Sequence, residues 1–307
     1  MTTDVFQQDV AQFRTDLIEQ GWMLPSGVRG VSGFGPQFED VLQRFNALVT
    51  RVAQDDGAEE MTFPPVVPRK LIETMGYLGN FPHLIGSVHS FFGKDAEAHA
   101  MAAKAAGGER WEDVLGITDV MMTPAACYPV YPLFSGQLRP EGRLVTTLNW
   151  IFRHEPSDEP TRFQSFRMRE YIRVGSPDVV VAWRNQWLER ARSLLLDLGL
   201  PVESDVANDP FFGRTGRMLA ANQRDQKLKF ELKVPVISSE NPTAICSFNW
   251  HQEHFSSKFG IRAADGELAQ TACLGFGLER VTLALLKTHG LDTAAWPAKT
   301  RALLWNV

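Results

Sequence analysis

One short stretch of the sequence, IFRHEPSDEPTRFQSFRMRE from position 151, places arginines, carboxylates and aromatic rings on both sides of a proline-bearing turn. A guanidinium fork binds a phosphate through two parallel hydrogen bonds, whereas a lysine ammonium acts as a point charge. A carboxylate two residues further along a strand lies on the same face and accepts from an exocyclic amine such as that of adenine. An aromatic ring offers a base a surface for stacking. The side chains in question are Arg153, Glu155, Arg162, Phe166 and Glu170.

Two interpretations of this stretch stay open on these residues alone. In the first, the side chains hold a nucleoside triphosphate against a β-sheet. In the second, they form a surface ion-pair ladder across two neighbouring strands, because opposite charges on adjacent strands attract each other. The stretch by itself favours neither interpretation.

The run CLGFGLERVTLALL, which begins at Cys273, favours the nucleotide. Gly275 and Gly277 carry no side chain, so a ligand can approach the predicted strand closely. Arg280 lies where this strand is predicted to end and an apolar helix to begin. From that position its guanidinium could bind a γ-phosphate. Together the two segments indicate a sheet that binds a triphosphate.

The elements predicted around these residues are strands followed by helices, without the regular βαβ alternation of a doubly wound sheet. Residues 148–155 and 162–175 form a predicted hairpin around the turn PSDEPT. An amphipathic helix begins at Pro36, and a second helix runs over 177–198 after a Ser-Pro-Asp start. The pattern predicts an α+β fold with an antiparallel sheet in a single domain, residues 1–307.

Composition and charge exclude several classes of protein. The formal net charge of -5 argues against a protein whose main partner is a nucleic-acid backbone. The sequence has no apolar run of about 18 residues, so no membrane span is predicted. The N-terminus lacks the basic and apolar regions of a signal peptide, and three cysteines are few and odd in number. A cytoplasmic, reducing location is therefore predicted.

Three segments, in order, resemble the motifs of the class II aminoacyl-tRNA synthetases. Residues 148–170 resemble motif 2, with Arg-x-Glu, a loop and Arg-x-x-x-Phe, and residues 271–288 resemble motif 3, with Gly-x-Gly-x-x-Arg. The helix and proline-rich strand at about 37–68 resemble motif 1, the dimer element of that family. The resemblance implies a class II synthetase-type antiparallel β-sheet flanked by helices, and a homodimer.

Shorter segments resemble the seryl-tRNA synthetase branch: GYLGNFP, TPAACYP, KLKFELKVP and CSFN. No long N-terminal arm and no anticodon-binding domain is recognised, so tRNA is not the expected partner. Such a core, over residues 35–295, resembles the amino acid:[carrier protein] ligases, which are homologues of the zinc-dependent seryl-tRNA synthetases of methanogens. The resemblance implies that ATP activates a small amino acid, glycine first and alanine second. The aminoacyl group is then loaded onto the phosphopantetheine thiol of a carrier protein.

The resemblance also assigns nucleotide contacts residue by residue. Arg153 contacts the α-phosphate and Arg280 clamps the γ-phosphate, so both are expected to be catalytic. Mg²⁺ is expected with ATP, although Glu240 lies a few positions away from the family's usual magnesium glutamate. The other implied contacts are Arg162 to the β- and γ-phosphates with Phe163 beside it, Glu155 to the adenine amine, Phe166 stacked on adenine, Lys229 and Glu231 facing the pocket, and Ala244, Ile245, Cys246 and Ser247 near the ribose.

The family's metal ligands map onto Cys127, Glu170 and Cys273. Two thiolates and a carboxylate suit Zn²⁺, and they leave one open position for a neutral amine or water. Glu170 and Asn249 are accordingly expected to contact the amino-acid substrate as well. Without the resemblance, the simpler interpretation of Cys127 and Cys273 is that both are buried core thiols.

A second metal site competes in the segment CSFNWHQEH. Cys246, His251 and His254 lie close together there, but HQEH lacks the HExxH spacing and the segment is predicted to be strand and turn. These histidines are therefore more simply explained as a polar edge near the pocket.

A local positive excess in residues 212–233 is a candidate docking surface for an acidic carrier protein. The alternative is a solvated face that has no partner. The helix at 177–198 is a second candidate, because it carries Arg184, Arg190 and Arg192.

Three other functions compete with the carrier-protein ligase. The chain could be a truncated synthetase that charges tRNA, a non-catalytic regulatory binding protein, or an enzyme that releases a free aminoacyl-adenylate. The presence of Arg153, Glu155 and Arg280 together argues for catalysis, because a pure binding protein does not need all three.

Overall fold

The computed structural model describes residues 3–306, with side chains from residue 10 onward. The helices are α1 Thr3–Glu19, α2 Pro36–Val52, α3 Arg69–Thr74, α4 Tyr77–Asn80, α5 Asp95–Ala106, α6 Pro177–Asp197, α7 Gly213–Asp225, α8 His254–Phe259, α9 Leu278–His289 and α10 Ala298–Trp305. The strands are β1 Met23–Pro25, β2 Ser32–Phe34, β3 Glu59–Glu60, β4 Val66–Pro68, β5 Ser87–Phe91, β6 Leu115–Met122, β7 Gly136–Gln137, β8 Arg143–Phe152, β9 Ser165–Gly175, β10 Glu203–Val206, β11 Lys229–Val234, β12 Thr243–Gln252, β13 Ile261–Arg262 and β14 Gln270–Gly277.

A seven-stranded sheet in the order β10-β11-β12-β14-β9-β8-β3 forms the centre of the fold. Its neighbouring strands are antiparallel, except that the short β3 runs parallel to β8. A separate three-stranded sheet has the order β4-β6-β5. The predicted α+β fold with an antiparallel sheet is therefore confirmed.

The two faces of the large sheet differ because successive side chains of a strand point to opposite sides. The back face carries the larger hydrophobic cluster, which includes Tyr171, Phe248 and Leu274 and packs against α2, α6 and α9. The front face carries a smaller hydrophobic cluster, which includes Ile172 and Cys273. Because helices cover the back face, polar strand side chains that bind a ligand are expected on the front face of the sheet.

Two long helices on the back of the sheet begin where the sequence predicts. Pro36 and Pro177 each occupy the first turn of their helix, where the missing backbone N–H costs nothing. Gly199, with a φ of 79°, follows the end of α6 in the left-handed conformation that glycine adopts most easily. Among the described helices, none is long and apolar enough to cross a membrane.

The hairpin formed by β8 and β9 is shorter than predicted. The strands stop at Phe152 and resume at Ser165, so residues 153–164 form a loop. The prediction that Arg153 and Glu155 lie on a strand is therefore wrong. Pro156 and Pro160 have no N–H to donate to a ladder, and the loop is instead tied to another segment, where the Gln164 N–H donates to the Gly30 carbonyl.

A buried charge network joins α2, β9 and α9. The Arg167 guanidinium donates to Glu39 at 2.6 and 2.7 Å and to Glu279 at 2.7 Å, and the Arg167 backbone N–H also donates to Glu279 at 2.8 Å. Glu279 is only 1% exposed. Since Arg167 adjoins Phe166 and Glu279 adjoins Arg280, the network fixes the spacing between two predicted nucleotide contacts.

We expect Arg167→Met to lower the free energy of unfolding by about 3 kcal/mol or more, because it leaves the buried Glu279 carboxylate without its charged partner and with only the backbone N–H of residue 167. Urea denaturation measures the change. Arg29→Ala is the matched control, since Arg29 and its partner Asp158 have side chains 64% and 63% exposed. That surface pair contributes about 1 kcal/mol at most. Equal losses in the two variants would contradict a stabilising role for the network.

Candidate active site

The front face of the sheet opens into a cavity of about 410 Å³ above β9, β11, β12 and β14. Residues from distant parts of the chain meet there because neighbouring strands come from different segments. Most of the residues predicted from sequence line this cavity. They are Cys127, Arg153, Glu155, Phe166, Glu170, Lys229, Glu231, Ala244, Ile245, Cys246, Ser247, Asn249, Cys273 and Arg280.

Two arginines stand at one end of the cavity without a carboxylate partner within 4 Å among the described residues. Arg280, in the first turn of α9, donates to the carbonyls of Thr161 and Ala244 at 2.9 and 3.1 Å. Arg153 donates to the Pro124 carbonyl at 3.1 Å, and its guanidinium lies 5.7 Å from the centre of the Phe166 ring. Burial and the neighbouring Arg153 charge lower the pKa of Arg280. This end of the cavity therefore favours a polyanion.

Cys127, Glu170 and Cys273 form a compact group in the lining of the same cavity. Their ligand atoms all lie within 4.8 Å of one another, and all three residues are buried. Cys127 lies in a turn at residues 126–130, Glu170 lies mid-strand in β9, and Cys273 lies on the neighbouring β14, where the register pairs Cys273 with Ile172 and Gly275 with Glu170. The residues that the family resemblance implied as metal ligands are thus brought together.

The donor set fits a metal ion. Glu170 Oε1 accepts from the Ala126 N–H at 3.0 Å, whereas Glu170 Oε2 is buried without a hydrogen-bond partner. Buried polar atoms normally have partners, so an orphaned carboxylate oxygen beside two thiols fits a cation. Two sulfurs and one carboxylate oxygen match zinc rather than magnesium or calcium.

Proton sharing within the group has a definite direction. The hydrogen bond between the thiols, together with the nearby His251, lowers the pKa of Cys273 well below its usual value against the opposing effect of burial. The same hydrogen bond and burial raise the pKa of Cys127. Burial, followed by the Cys273 charge, raises the pKa of Glu170 to about 8.

Two relatives of this chain decide its family. Amino acid--[acyl-carrier-protein] ligase 1 of Bradyrhizobium diazoefficiens is 44% identical over 280 residues, which cover 91% of this chain and 86% of the relative. Amino acid--[acyl-carrier-protein] ligase 2 of the same organism is also 44% identical over 280 residues, covering 91% and 84%. This chain belongs to the amino acid--[acyl-carrier-protein] ligase family. The family predicted from the sequence is therefore confirmed.

More distant relatives agree with the fold of this ligase family. The type-2 serine--tRNA ligase of Methanopyrus kandleri is 28% identical over 323 residues, which cover 93% of this chain and 59% of that enzyme. The M. kandleri SerRS, solved with A. aeolicus tRNASec, superposes with a TM-score of 0.81 at 23% identity, over 96% of this chain and 60% of that one. The ATP complex of seryl-tRNA synthetase from Pyrococcus horikoshii gives 0.65 at 14%, over 90% and 58%. No family model matches the sequence. The class II fold is confirmed.

Two predicted nucleotide contacts lie elsewhere than expected for such a ligase. Phe163 is 5% exposed and packs edge-on against Phe34 in the hydrophobic core, with the ring centres 5.4 Å apart, so it does not lie beside a nucleotide. Arg162 lies on the loop outside the cavity lining, where its guanidinium donates to Glu155 at 3.1 Å. Glu155 and Arg162 therefore engage each other in this structure.

Cys246 lies beside the cavity but belongs to the opposite side of the sheet. It pairs with Leu232 and Phe276, and its side chain is part of the back hydrophobic cluster. Burial raises the pKa of its thiol. The alternation of β12 directs the Cys246 thiol into the core, so the thiol does not compete with Cys127, Glu170 and Cys273 as a metal ligand, and the predicted contact between Cys246 and the ribose stays a prediction.

Several residues of the cavity escaped the sequence analysis. Three aromatic side chains line the cavity together, and Tyr77 contacts Phe81 and Tyr128 at ring-centre distances of 5.0 and 5.9 Å. Asp209 accepts from Lys229 at 2.7 Å, and Lys229 also lies 3.1 Å from Glu231. Tyr77 and Tyr128 fall in segments that carried the resemblance, whereas nothing in the sequence around Asp209 indicated a site.

Proposed function

We propose that this chain activates a small amino acid with ATP and transfers it to the phosphopantetheine thiol of a carrier protein. One observation carries the proposal: two arginines that have no carboxylate partner among the described residues line the same cavity as a zinc-type donor set. A triphosphate bound by the arginines and an amino acid bound at the donor set would meet within this cavity. Membership of the ligase family supports the same chemistry.

The first step would join the amino-acid carboxylate to the α-phosphorus of ATP and release pyrophosphate with Mg²⁺. Protein groups contribute position and charge neutralisation to such transfers. Arg153 would neutralise the α-phosphate and Arg280 the γ-phosphate, while Phe166 stacks on the adenine ring. The hydrogen bond between Glu155 and Arg162 would have to break before Glu155 could accept a hydrogen bond from the adenine amine. The Arg162 guanidinium would then be free to bind the β- and γ-phosphates.

Cys127, Glu170 and Cys273 would hold one zinc ion, whose open position would offer a neutral α-amino group a Lewis-acidic partner. Asn249, which lines the cavity near this group, would border the substrate. Selection of glycine, with alanine second, would come from the volume of the pocket. A hydrophobic pocket distinguishes one methylene by only about 1–3 kcal/mol, so both amino acids are expected to react.

The second step needs a thiol from outside the chain. Cys246 points into the core, and Cys127 and Cys273 belong to the proposed metal site. The sulfur of a carrier's phosphopantetheine would attack the adenylate carbonyl, form the thioester and expel AMP, while the thiol proton passes to solvent. Membership of the ligase family favours a carrier protein over tRNA as the acceptor.

Amino-acid-dependent pyrophosphate exchange tests the proposal, with each of the twenty amino acids and with or without a zinc chelator. We expect exchange with glycine, weaker exchange with alanine, and loss of both after chelation. Radiolabelled glycine then reveals the acceptor when carrier protein or tRNA is added. No exchange with any amino acid would indicate a binding protein, labelled tRNA a truncated synthetase, and exchange without an acceptor a free adenylate.

Helix α7 is the proposed docking surface for the carrier. Arg214, Arg217 and Arg224 are exposed on it, and Asn222 and Gln223 of the same helix line the cavity. The competing surface on α6 is weaker, because Arg184 is only 5% exposed and Arg190 is paired with Asp56. A basic helix at the cavity rim therefore favours an acidic carrier.

We expect the double substitution Arg214→Glu and Arg217→Glu to lower kcat/KM for carrier aminoacylation at least about tenfold, because charge reversal slows encounter with an acidic partner. Steady-state kinetics at several salt concentrations measures it. Pyrophosphate exchange, in which no carrier takes part, reports whether the adenylate site is intact. Arg192→Glu, an exposed charge reversal on α6, is the control. Equal effects of the two reversals would argue against docking on α7.

The motif 1 resemblance also supports a homodimer. An apolar groove of about 440 Å³ lies in this region and is bordered by Phe63, Pro64, Val67 and Leu71. Light scattering on the purified protein measures the mass, and a monomer at working concentration would contradict the proposal.

A further inference from the structure

Strand β12 contains a bulge beside the proposed metal site. Its register with β14 pairs Trp250 with Ala272 and then Gln252 with Thr271, so His251 has no partner of its own. Gln252 has a φ of 52°, which marks the local distortion. A bulge leaves one residue unpaired and re-aims its side chain, and such irregularities are common next to active sites.

The His251 ring reaches Cys273 from this bulge. Its Nε2 lies 3.6 Å from Cys273 Sγ, and its Nδ1 lies 3.0 Å from the Thr271 hydroxyl oxygen. The Asn249 amide donates to the same sulfur at 3.5 Å. A Thr271 hydroxyl that donates to Nδ1 leaves the ring proton on Nε2, which faces the sulfur. In that tautomer Cys273 receives two N–H donors from one strand, His251 and Asn249.

His251 acts on the sulfur and is not itself a ligand in this arrangement. Among the described residues, the group whose ligand atoms lie within 4.8 Å of one another contains Cys127, Glu170 and Cys273. Two thiolates and a carboxylate carry one more negative charge than Zn²⁺ neutralises, and burying that charge is costly. Polar N–H groups directed at the sulfur offset the excess, as partners of metal ligands do elsewhere.

We propose that His251, held by Thr271, and Asn249 are positioning residues that fix the Cys273 thiolate for zinc by N–H···S hydrogen bonds. This inference rests on the metal site of the proposed function. The bonds orient the sulfur toward Cys127 and Glu170 and lower its charge donation to the metal. The site therefore keeps zinc tightly while leaving the metal acidic enough to take an amine.

The test compares zinc affinity in three variants by competition with a chromophoric chelator. His251→Leu removes the donor and is expected to raise the zinc dissociation constant about 10- to 100-fold. His251→Gln, which retains an N–H of similar reach, is expected to restore most of the affinity. Thr271→Val keeps the imidazole but removes the hydroxyl, so a smaller rise is expected. This variant also keeps the test valid if His251→Leu folds poorly.

Cobalt substitution supplies a readout that a general loss of structure would not produce. Without the N–H donor the thiolate gives up charge more readily, so the sulfur-to-cobalt absorption band of His251→Leu is expected to move to longer wavelength. The band of His251→Gln is expected to stay near that of the unmodified protein.

His254→Leu is the control, because His254 also lines the cavity, whereas the ring that hydrogen-bonds Cys273 within the described part of the chain is that of His251. Wild-type zinc affinity and an unshifted cobalt band in both His251→Leu and Thr271→Val would overturn the inference, as would equal losses in His254→Leu. These outcomes leave the proposed function intact. Absence of stoichiometric zinc from the unmodified protein would instead overturn the metal site of the proposed function.

Discussion

Cys273→Ser is expected to yield protein without stoichiometric zinc and to reduce glycine-dependent pyrophosphate exchange about 100-fold or more. A metal that orients and polarises a substrate contributes several kcal/mol, and each 1.36 kcal/mol is tenfold in rate. Serine is nearly the same size but gives no thiolate at neutral pH. Elemental analysis of the purified variant and the exchange assay measure the two effects.

Cys246→Ser is the matched control for this experiment. It makes the same change one strand away, but on the back face of the sheet, where Cys246 is 3% exposed among apolar side chains. We expect it to keep zinc and to lose some stability, because a hydroxyl replaces a thiol in the core. If Cys273→Ser retained zinc while Cys246→Ser lost it, the metal site would have been placed on the wrong face.

Arg153→Ala is expected to lower kcat for pyrophosphate exchange by about 10²–10³-fold, because one preorganised electrostatic contact to the reacting group is lost. The KM for ATP should change less, since Arg280 still meets the far end of the triphosphate. Arg153→Lys should recover part of the rate, because a lysine supplies the charge without the fork. Initial-rate kinetics at varied ATP separates kcat from KM.

Arg44→Ala provides the control for the loss of an arginine, because Arg44 is exposed on α2 and pairs with Asp40 one turn away. Its exchange kinetics should match those of the unmodified protein. A rise in the KM for ATP with unchanged kcat in Arg153→Ala would show that Arg153 binds ATP and its transition state equally.

The fold was largely predictable because its signals are local. Pro36 and Pro177 stand in the first turns of their helices, and alternating or glycine-bearing runs gave the central strands. The ends of the β8–β9 hairpin were not predictable in the same way. The chain leaves the ladder after Phe152 because the loop is bound to Gly30 and Arg29, which lie far away in sequence.

The residues of the site were predictable only where they belong to a motif of the family that the sequence resembles. Spacing alone does not reveal that Cys127, Glu170 and Cys273 converge, since strand register decides which of them face each other. The resemblance supplied that set, and it also placed Phe163 and Cys246 beside the nucleotide. A motif records neighbouring residues but not which face each side chain takes, and the structure places both side chains in the core.

The Arg167–Glu39–Glu279 network links α2, β9 and α9, so a change in one of these segments constrains the other two. A chimera that took one of the three from a homologue without the matching charge would leave a buried side chain without its oppositely charged partner. Shuffling within this family should therefore succeed when the three segments travel together, and engineers seeking a new nucleotide or amino-acid preference would do better to alter the cavity lining than to exchange whole motifs.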